Sequence, residues 1–414
     1  MCPESPVFPP PTAMAVSSAS GAGRPGAADG HVAGTTKLDL GGTIRHCSPQ
    51  ETLARVRPLF PMFGITRLAN VTGLDRIGIP VWLCIRPNAR CLSVSQGKGL
   101  DDDLARVSAV MESIELHHAE DVAPPDMVAS YREARRRHAV MNPARLAPGV
   151  RGRAYGPDRK IAWIRGTELG SGEPVLVPHV RVNENWSRPH PDAGLFVVTT
   201  TGLASGNHRL EAICHGLFEV VERDSEWRWE RLSAAAQQAR ELDPATVASP
   251  LLRRLLDRFA AADILARLWD MTSDIGIPAY HCTISDPFAL GGLEPVYGAG
   301  CHLSKEIALA RALTEAAQCR LTFIAGSRDD VFPSLYERMK YARPREVHAR
   351  ARGDFSKRPS PPPGSTFEDD LQTALGLLAD AGFPQVIAVE HTKPNLGVPV
   401  VTVIVPGLHE VAEE

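Results

Sequence analysis

Residues 97–115 read GKGLDDDLARVSAVMESIE and join a Gly-Lys-Gly segment to a helical pattern of mostly apolar side chains. Three consecutive aspartates stand where an N-cap and a negatively charged first turn stabilise a helix. We predict a flexible loop at 95–99 and a helix at 101–119. At 100° per residue, three polar side chains of this helix fall within an arc of about 60°: Ser108, Glu112 and Glu115.

The same arrangement occurs twice more. Residues 201–224 (TGLASGNHRLEAICHGLFEVVERD) and 298–320 (GAGCHLSKEIALARALTEAAQCR) also join small residues to an apolar helix with one polar stripe. The stripes consist of Glu211, Glu219 and Glu222 in the second stretch and Arg311, Glu315 and Gln318 in the third. Such a glutamate pair taken alone usually marks a solvated face. Because these helices are apolar nearly all round, we expect burial instead.

Buried carboxylates have to be paired or bound to a cation. The nearby bases Lys98, Arg223 and Arg311 cannot neutralise six glutamates, and ligation by carboxylates alone suits Mg²⁺. Small residues ahead of a helix let backbone amides approach phosphate, so we expect phosphate-binding loops at 95–99, 201–207 and 298–302. Since the chain has no P-loop and no kinase motifs, the residues predict an unusual site for a nucleotide and Mg²⁺.

Composition narrows the class of protein. The 414 residues have a net charge of -3, which argues against a protein that binds nucleic acid through bulk positive charge. No apolar run reaches the roughly 18–20 residues of a membrane span, and the N-terminus lacks the features of a signal peptide. The eight cysteines fit no zinc spacing. We therefore expect a soluble cytoplasmic protein with no nucleic-acid or membrane partner.

Helices and strands are interspersed without strict βαβ alternation, which favours an α+β fold of mixed or antiparallel sheets layered with helices. We expect a disordered tail at 1–36, one domain at 37–408 with a Pro-rich loop near 344–365, and a short tail at 409–414. Strands are predicted at 65–71, 81–86, 160–165, 174–181, 195–201, 278–284, 294–298, 386–390 and 398–405. Further helices are predicted at 48–60, 209–224, 233–242, 250–275, 304–324 and 367–381.

The three quoted stretches resemble the YcaO superfamily. The lead-in GTIRHCSPQETLARV and the ending VPVVTVIVPGL also fit, so that the resemblance covers roughly residues 40–408. It implies an ATP site between lobes, built without a P-loop. It also implies an enzyme that phosphorylates the oxygen of a peptide backbone amide before a nucleophile attacks the carbon. An internal Cys, Ser or Thr nucleophile gives an azoline, and external sulfide gives a thioamide.

The resemblance assigns roles to individual residues. Positions that match the nucleotide site are Lys98, Ser108, Asn207, Glu211, Arg223 and Arg311. Those that match the magnesium ligands are Glu112, Glu115, Glu219 and Glu222, with Glu315 as a fifth. Arg223 and Arg311 would contact phosphates and stabilise the transition state of phosphoryl transfer. His302 could shuttle a proton, although a structural histidine in a turn is equally compatible with the sequence.

One departure from the family pattern favours thioamide formation. Azoline-forming members commonly end in a Pro-rich PxPxP tail, whereas this chain ends VPGLHEVAEE and shows no fused leader-binding domain ahead of residue 40. This form is similar to standalone members that act with a TfuA-type partner. We expect a homodimer that thioamidates a peptide or protein. The alternatives are an azoline-forming cyclodehydratase and a non-catalytic ATP-binding accessory protein.

Overall fold

Strands and helices alternate irregularly in the computed structural model, which describes residues 35–149, 154–188, 190–286, 295–336 and 353–409. The strands are β1 (Leu38–Asp39), β2 (Ile44–Arg45), β3 (Arg67–Asn70), β4 (Val81–Ile85), β5 (Val94–Lys98), β6 (Met127–Ser130), β7 (Lys160–Glu168), β8 (Pro174–Pro178), β9 (Leu203–Ser205), β10 (Glu241–Leu242), β11 (Leu265–Asp270), β12 (Ala279–Ser285), β13 (Val296–Cys301), β14 (Ile387–Glu390) and β15 (Val400–Ile404). The helices are α1 (Pro49–Val56), α2 (Phe60–Phe63), α3 (Asp102–Ala119), α4 (Tyr131–Ala134), α5 (Arg209–Glu230), α6 (Ala234–Ala239), α7 (Pro250–Ala261), α8 (Lys305–Ala325) and α9 (Phe367–Asp380).

Three sheets supply the framework, and their named strand pairs are antiparallel. Their strand orders are β3-β4-β5, β10-β11-β12-β13 and β6-β7-β14-β15-β9, with β8 paired to β7. The strands β5, β9 and β13 each lie at the edge of one sheet. Each of these edge strands is followed directly in the chain by one of the long helices α3, α5 and α8. The mixture of antiparallel sheets and helices confirms the α+β prediction.

Glycines let these helices pack directly against their strands. A Cβ added at Gly97 of β5 would lie 2.0 Å from the Ala109 amide nitrogen of α3, and one at Gly300 of β13 would lie 2.0 Å from the Ala308 carbonyl of α8. No side chain fits into such a backbone-to-backbone contact. Each helix therefore packs closely on the face of the strand that precedes it.

The predicted phosphate-binding loops at 95–99 and 298–302 are wrong as loops, since they form most of β5 and the second half of β13. The segment 201–207 likewise contains β9. Small residues in these stretches indicated flexibility, but their physical role is close helix–strand packing. Strand alternation was hard to recognise because glycine and alanine give no hydrophobic pattern.

Two further elements differ from prediction. The helix expected at 250–275 ends at Ala261, where Asp263 turns the backbone with a φ of 53° before β11 begins. The helix expected at 233–242 ends at Ala239, and β10 follows. Both errors share a cause: β10 pairs with β11, β11 also pairs with β12, and this strand pairing overrides a helical spacing of apolar residues.

The strand predicted at 195–201 is absent from the described chain. Its polar groups are satisfied in another way, because the buried guanidinium of Arg181 donates to the carbonyls of Thr199 and Thr201 at 2.9 and 3.3 Å. A segment whose carbonyls are bound by an arginine does not need a neighbouring strand.

The two ends of the chain lie outside the described residues. Residues 1–34, 337–352 and 410–414 lie outside the described residues, so much of the expected tails and of the loop at 344–365 is among them. Thr35 is held already, since its amide and hydroxyl donate to the carboxylate of Glu368 at 3.0 and 2.8 Å. Among the described residues, no helix has the length and apolar character needed to cross a membrane.

Candidate active site

A cavity of about 540 Å³ lies where the three edge strands and their helices meet. It brings together eleven of the twelve side chains that the sequence singled out as site residues: Lys98, Ser108, Glu112, Glu115, Asn207, Glu211, Glu219, Glu222, Arg223, Arg311 and Glu315. The three helical stripes face one another across this space. Convergence of residues from α3, α5 and α8 is what the sequence argument required.

Each edge strand is anchored by one glutamate of the helix that follows it. The amide of Gly202, next to β9, donates to Oε2 of Glu219 at 3.3 Å, and the amide of Ala299 in β13 donates to Oε1 of Glu315 at 3.4 Å. The backbone of Gln96 in β5 makes the same kind of hydrogen bond to Glu112. These carboxylates therefore satisfy strand N–H groups that the sheets leave unpaired.

A fourth carboxylate links α3 to the edge strand β9. Oε1 of Glu115 on α3 accepts hydrogen bonds from both the amide and the hydroxyl of Ser205 in β9, each at 2.7 Å. Lys98 at the end of β5 links that strand to α8, because its ammonium lies 2.6 Å from Oε2 of Glu315 on α8. The positions of the site residues are thus fixed by contacts between different strand–helix pairs as well as by contacts within each pair.

The N-terminus of α5 is tied to the start of the domain. Oε2 of the buried Glu211 accepts from the amides of His46 and Asn207 at 3.2 and 3.1 Å, and the guanidinium of Arg45 lies 3.8 Å from its Oε1. The side-chain oxygen of Asn207 accepts from Arg55 at 2.8 Å. Glu211 and Asn207 consequently hold the cavity wall together, in addition to facing the cavity.

Burial away from water strongly raises the pKa of two glutamates in the cavity. Desolvation raises the pKa of Glu112 to about 7 against the opposing charges of Arg328 and Lys98. It raises the pKa of Glu115 to about 8 against the hydrogen bonds from Ser205. At neutral pH, Glu115 is therefore mostly protonated and Glu112 about half protonated, and a bound cation would displace these protons.

The pKa values of Glu222 and Glu315 are shifted in opposite directions. Burial and the charge of Glu315 raise the pKa of Glu222 to about 8. Burial opposes ionisation of Glu315 as well, but the charges of Lys98 and Arg223 outweigh it and lower its pKa. The pair therefore keeps a negative charge on Glu315 beside Lys98, whereas Arg223 and Arg311 offset only part of the cost of ionising Glu222.

The two arginines occupy different surroundings. Nη1 of Arg223 lies 2.9 Å from Oε2 of the buried Glu226, one turn further along α5. Nη1 of Arg311 donates to the carbonyl of Cys301 at 3.3 Å, and desolvation together with the nearby charge of Arg45 lowers its pKa. A guanidinium destabilised by a second cation is well suited to bind a polyphosphate.

His302 is the one predicted site residue that does not line the cavity. Its ring is buried against Phe218, with the ring centroids 4.9 Å apart, and its Nδ1 accepts from the amide of Ser304 at 2.9 Å. Desolvation and the charge of Arg311 hold the pKa of this imidazole well below its usual range. The structure therefore favours the structural alternative, a histidine that supports the start of α8.

Sequence reasoning missed several residues of the cavity wall. They are Arg45, His215 and Arg328, whereas Gln96 and Ser205 belong to two of the predicted phosphate-binding loops. Arg45 could have been suspected as a base just ahead of the helix start at Ser48. Arg328 gave no signal, because only the fold brings the turn after α8 back to the cavity.

The donor set suits Mg²⁺. In the part of the chain that the structure describes, no three Asp, Glu, His or Cys side chains converge on a single point as a preformed metal site. Mg²⁺ needs no such cage, because it is commonly bound by one or two carboxylates together with waters and phosphate oxygens. The raised pKa values of Glu112, Glu115 and Glu222 show where added positive charge would be stabilising.

The sequence and the fold match known proteins. The family model of the YcaO cyclodehydratases, described as ATP- and Mg²⁺-binding, covers residues 96–409. An uncharacterized protein of the tfuA 3′ region of Rhizobium leguminosarum bv. trifolii is 39% identical over 88% of each chain. An uncharacterized protein of Methanothermobacter thermautotrophicus is 35% identical over 87% of this chain and 94% of its own.

Two solved structures show the same fold. YcaO from Methanopyrus kandleri, bound with AMPPCP and Mg²⁺, superposes with a TM-score of 0.71 and 26% identity over 91% of this chain and 95% of that one. A heterocyclase in complex with substrate and cofactor gives a TM-score of 0.76 and 19% identity over 92% of this chain and 54% of that one. With its cavity of opposed carboxylates and arginines, the chain belongs to the YcaO family of ATP- and Mg²⁺-binding proteins.

Proposed function

We propose that this protein uses ATP to phosphorylate the oxygen of a backbone amide and then inserts sulfur to give a thioamide. The observation that carries the proposal is a cavity in which the metal-binding and phosphate-binding residue types converge within a YcaO-family chain. In this reaction the amide oxygen accepts the phosphoryl group, sulfide adds to the amide carbon, and phosphate leaves with the original oxygen.

The protein's own residues would supply position and charge. We infer that Arg223 and Arg311 contact the phosphates, and that the glutamates would hold Mg²⁺, which would supply positive charge for phosphoryl transfer. Glu226 keeps the guanidinium of Arg223 in place, and Lys98 fixes Glu315. His302 takes no part in this proposal because its ring lies outside the cavity.

The preference for a thioamide over an azoline is supported by the relatives. One protein 39% identical to this chain comes from a tfuA 3′ region, which suggests a TfuA-type partner for the present protein too. The azoline-forming alternative is supported by the description of the family as cyclodehydratases. A homodimer remains a prediction, and light scattering of the purified protein tests it.

The decisive experiment incubates the full chain with ATP, Mg²⁺, sulfide and candidate peptides, with and without a TfuA-type protein. A peptide mass gain of about 16 Da supports thioamide formation, whereas a loss of about 18 Da supports azoline formation. Glu219→Gln should abolish the product, while the matched control Glu230→Gln, exposed on the same helix, should retain it. ATP binding without any product in all reactions would favour the accessory-protein alternative.

A further inference from the structure

The cavity has apolar walls at two separate places. One group, called here the first end, consists of Leu40, Gly42, Leu100, Leu104, Val107 and Ala310. The other, called the second end, consists of Leu92, Leu116, Trp186, Leu203 and Val331. Ala310 and Leu100 belong to the hydrophobic cluster under α8, whereas Leu92, Leu116 and Leu203 belong to a different cluster under α3. The two ends are thus parts of different cores.

The first end lies beside the candidate nucleotide residues. Arg311 follows Ala310 directly on α8, and Ser108 lies one helical turn beyond Leu104 on α3. A Cβ at Gly42 would lie 2.9 Å from the Leu100 side chain, and Arg45 follows three residues later. An apolar pocket beside phosphate-binding bases is the environment that a purine base and its phosphates require. The nucleotide therefore fits between the first end and the glutamates.

The second end lies on the far side of the same glutamates. Leu116 follows Glu115 on α3, and Leu203 is two residues before Ser205, whose amide and hydroxyl bind Glu115. A nucleotide that starts at the first end would present its terminal phosphate toward this region. Whatever accepts the phosphoryl group has to approach from here.

Trp186 gives the second end a large and accessible aromatic surface. Its side chain is 52% exposed although it lines the cavity. The backbone amide of Trp186 donates to the Arg90 carbonyl at 3.0 Å, and the indole Nε1 donates to Glu184 at 3.3 Å. These bonds hold the indole at the mouth of the cavity, while its exposed surface remains available to a ligand.

A third segment completes the mouth. Asp329 accepts a hydrogen bond from the Ser93 amide at 3.1 Å, which attaches the turn after α8 to the hairpin between β4 and β5. This turn carries Val331 and Arg328 into the cavity wall. The mouth at the second end is therefore formed by residues 90–93, 184–188 and 327–331.

We propose that the second end is the acceptor-peptide site, where the backbone of an extended peptide lies against Trp186 and an apolar side chain next to the reacting amide contacts Leu92 and Leu203. This inference rests on the proposed amide activation and adds the place and chemistry of its substrate. Because Leu92, Leu203 and Val331 give this end an apolar surface, the site selects a peptide with a hydrophobic residue beside the modified position. The flat aromatic surface of Trp186 can stack against a flat peptide unit.

A photocrosslinking experiment with the full chain tests the site. The probe is the peptide acetyl-Gly-Gly-Leu-p-benzoylphenylalanine amide, irradiated with the protein in the presence of Mg²⁺ and AMPPCP and mapped by mass spectrometry. We expect adducts within residues 90–93, 184–188 or 327–331. Trp186→Ala should lower their yield about five-fold, Trp186→Phe should restore most of it, and the control Trp227→Ala should leave it unchanged.

Nucleotide affinity provides the second readout. Trp186→Ala should change the Kd for Mg²⁺–AMPPCP by less than about two-fold, whereas Leu104→Glu at the first end should weaken it about ten-fold or more. Adducts that map to the first end or elsewhere, no adducts in the three segments, or a large loss of nucleotide affinity in Trp186→Ala would each overturn the proposal. Correct adducts without any modified product in the activity assay would retain the peptide site and reject the proposed reaction.

Discussion

Replacement of Gly97 by alanine separates two explanations of the Gly-Lys-Gly segment. If the segment cradles phosphate, as its sequence suggested, the substitution should impair nucleotide binding in a protein of normal stability. The structure indicates a packing role instead. The new Cβ would lie 2.0 Å from the Ala109 nitrogen and 2.2 Å from the Ala105 carbonyl oxygen.

The magnitude follows from the atoms that collide. All close neighbours of the new methyl group are backbone atoms of α3, so no rotamer change can relieve the contact, and the helix has to move away by about an ångström or more. Ordinary overpacking of a core costs about 1–3 kcal/mol. Movement of this helix would also disturb the hydrogen bonds of Glu112 and Glu115 to β5 and β9. We therefore expect the free energy of unfolding to fall by about 3 kcal/mol or more.

Thermal unfolding followed by circular dichroism measures the effect. For a domain of about 380 residues, an unfolding entropy of about 0.8 kcal/mol per degree converts 3 kcal/mol into a Tm decrease of about 4 °C. The matched control is Gly376→Ala in α9, where an added Cβ has no atom within 4 Å. A glycine replaced inside a helix should raise stability by about 0.5–1 kcal/mol.

The nucleotide readout completes the test. At a saturating concentration of Mg²⁺–AMPPCP, both wild type and Gly97→Ala should gain stability by mass action, the variant less so if α3 is displaced. The reasoning is refuted if Gly97→Ala melts at the wild-type temperature. Normal melting together with lost nucleotide affinity would establish the phosphate-cradle explanation.

Three further predictions concern the charges of the cavity. Between pH 4.5 and about 8, the metal-free folded state holds protons on Glu112 and Glu115 that the unfolded state has lost, so the free energy of unfolding should fall as pH rises through this window. Mg²⁺ should bind more tightly with increasing pH, because it displaces these protons. Calorimetry in two buffers of different ionisation enthalpy measures the proton release. Glu222→Gln removes a buried charge that Arg223 and Arg311 offset only in part, so it should raise the Tm of metal-free protein at pH 8.5 while abolishing Mg²⁺-dependent ATP hydrolysis, and a lower Tm would contradict the assignment. Lys98→Ala removes the ammonium 2.6 Å from Glu315 and should cost about 1 kcal/mol in urea unfolding, whereas an unchanged midpoint would show that this partly exposed pair contributes nothing.

The helices and their polar stripes could be predicted because their signals are local. Asp101 and Ser304 cap α3 and α8 through side-chain hydrogen bonds to the backbone amides of Leu104 and Ile307, and polar residues at helical spacing indicated one functional face. These features depend on short stretches of chain. Most of the candidate site was therefore identified before the fold was known.

The edge strands and the cavity mouth could not be predicted, because they depend on distant parts of the chain. Gly300 gives no strand signal of its own and fits β13 only because α8 packs on it. Trp186 had no helical or strand pattern around it, and its location at the cavity follows from contacts with Arg90 and Glu184. Such residues become informative only when tertiary contacts are known.

Three glutamates of the candidate site also stabilise the fold. Each faces the cavity and also accepts the otherwise unpaired N–H of an edge strand, in the pairs Gln96–Glu112, Gly202–Glu219 and Ala299–Glu315. Truncation to alanine removes a proposed metal ligand and leaves a backbone amide without its acceptor, so loss of activity in an alanine variant would have two causes. Glutamine removes the charge but keeps a carbonyl acceptor. The proposed metal-binding role of these carboxylates therefore has to be tested by glutamine substitution, which separates metal binding from the hydrogen bond to the backbone amide.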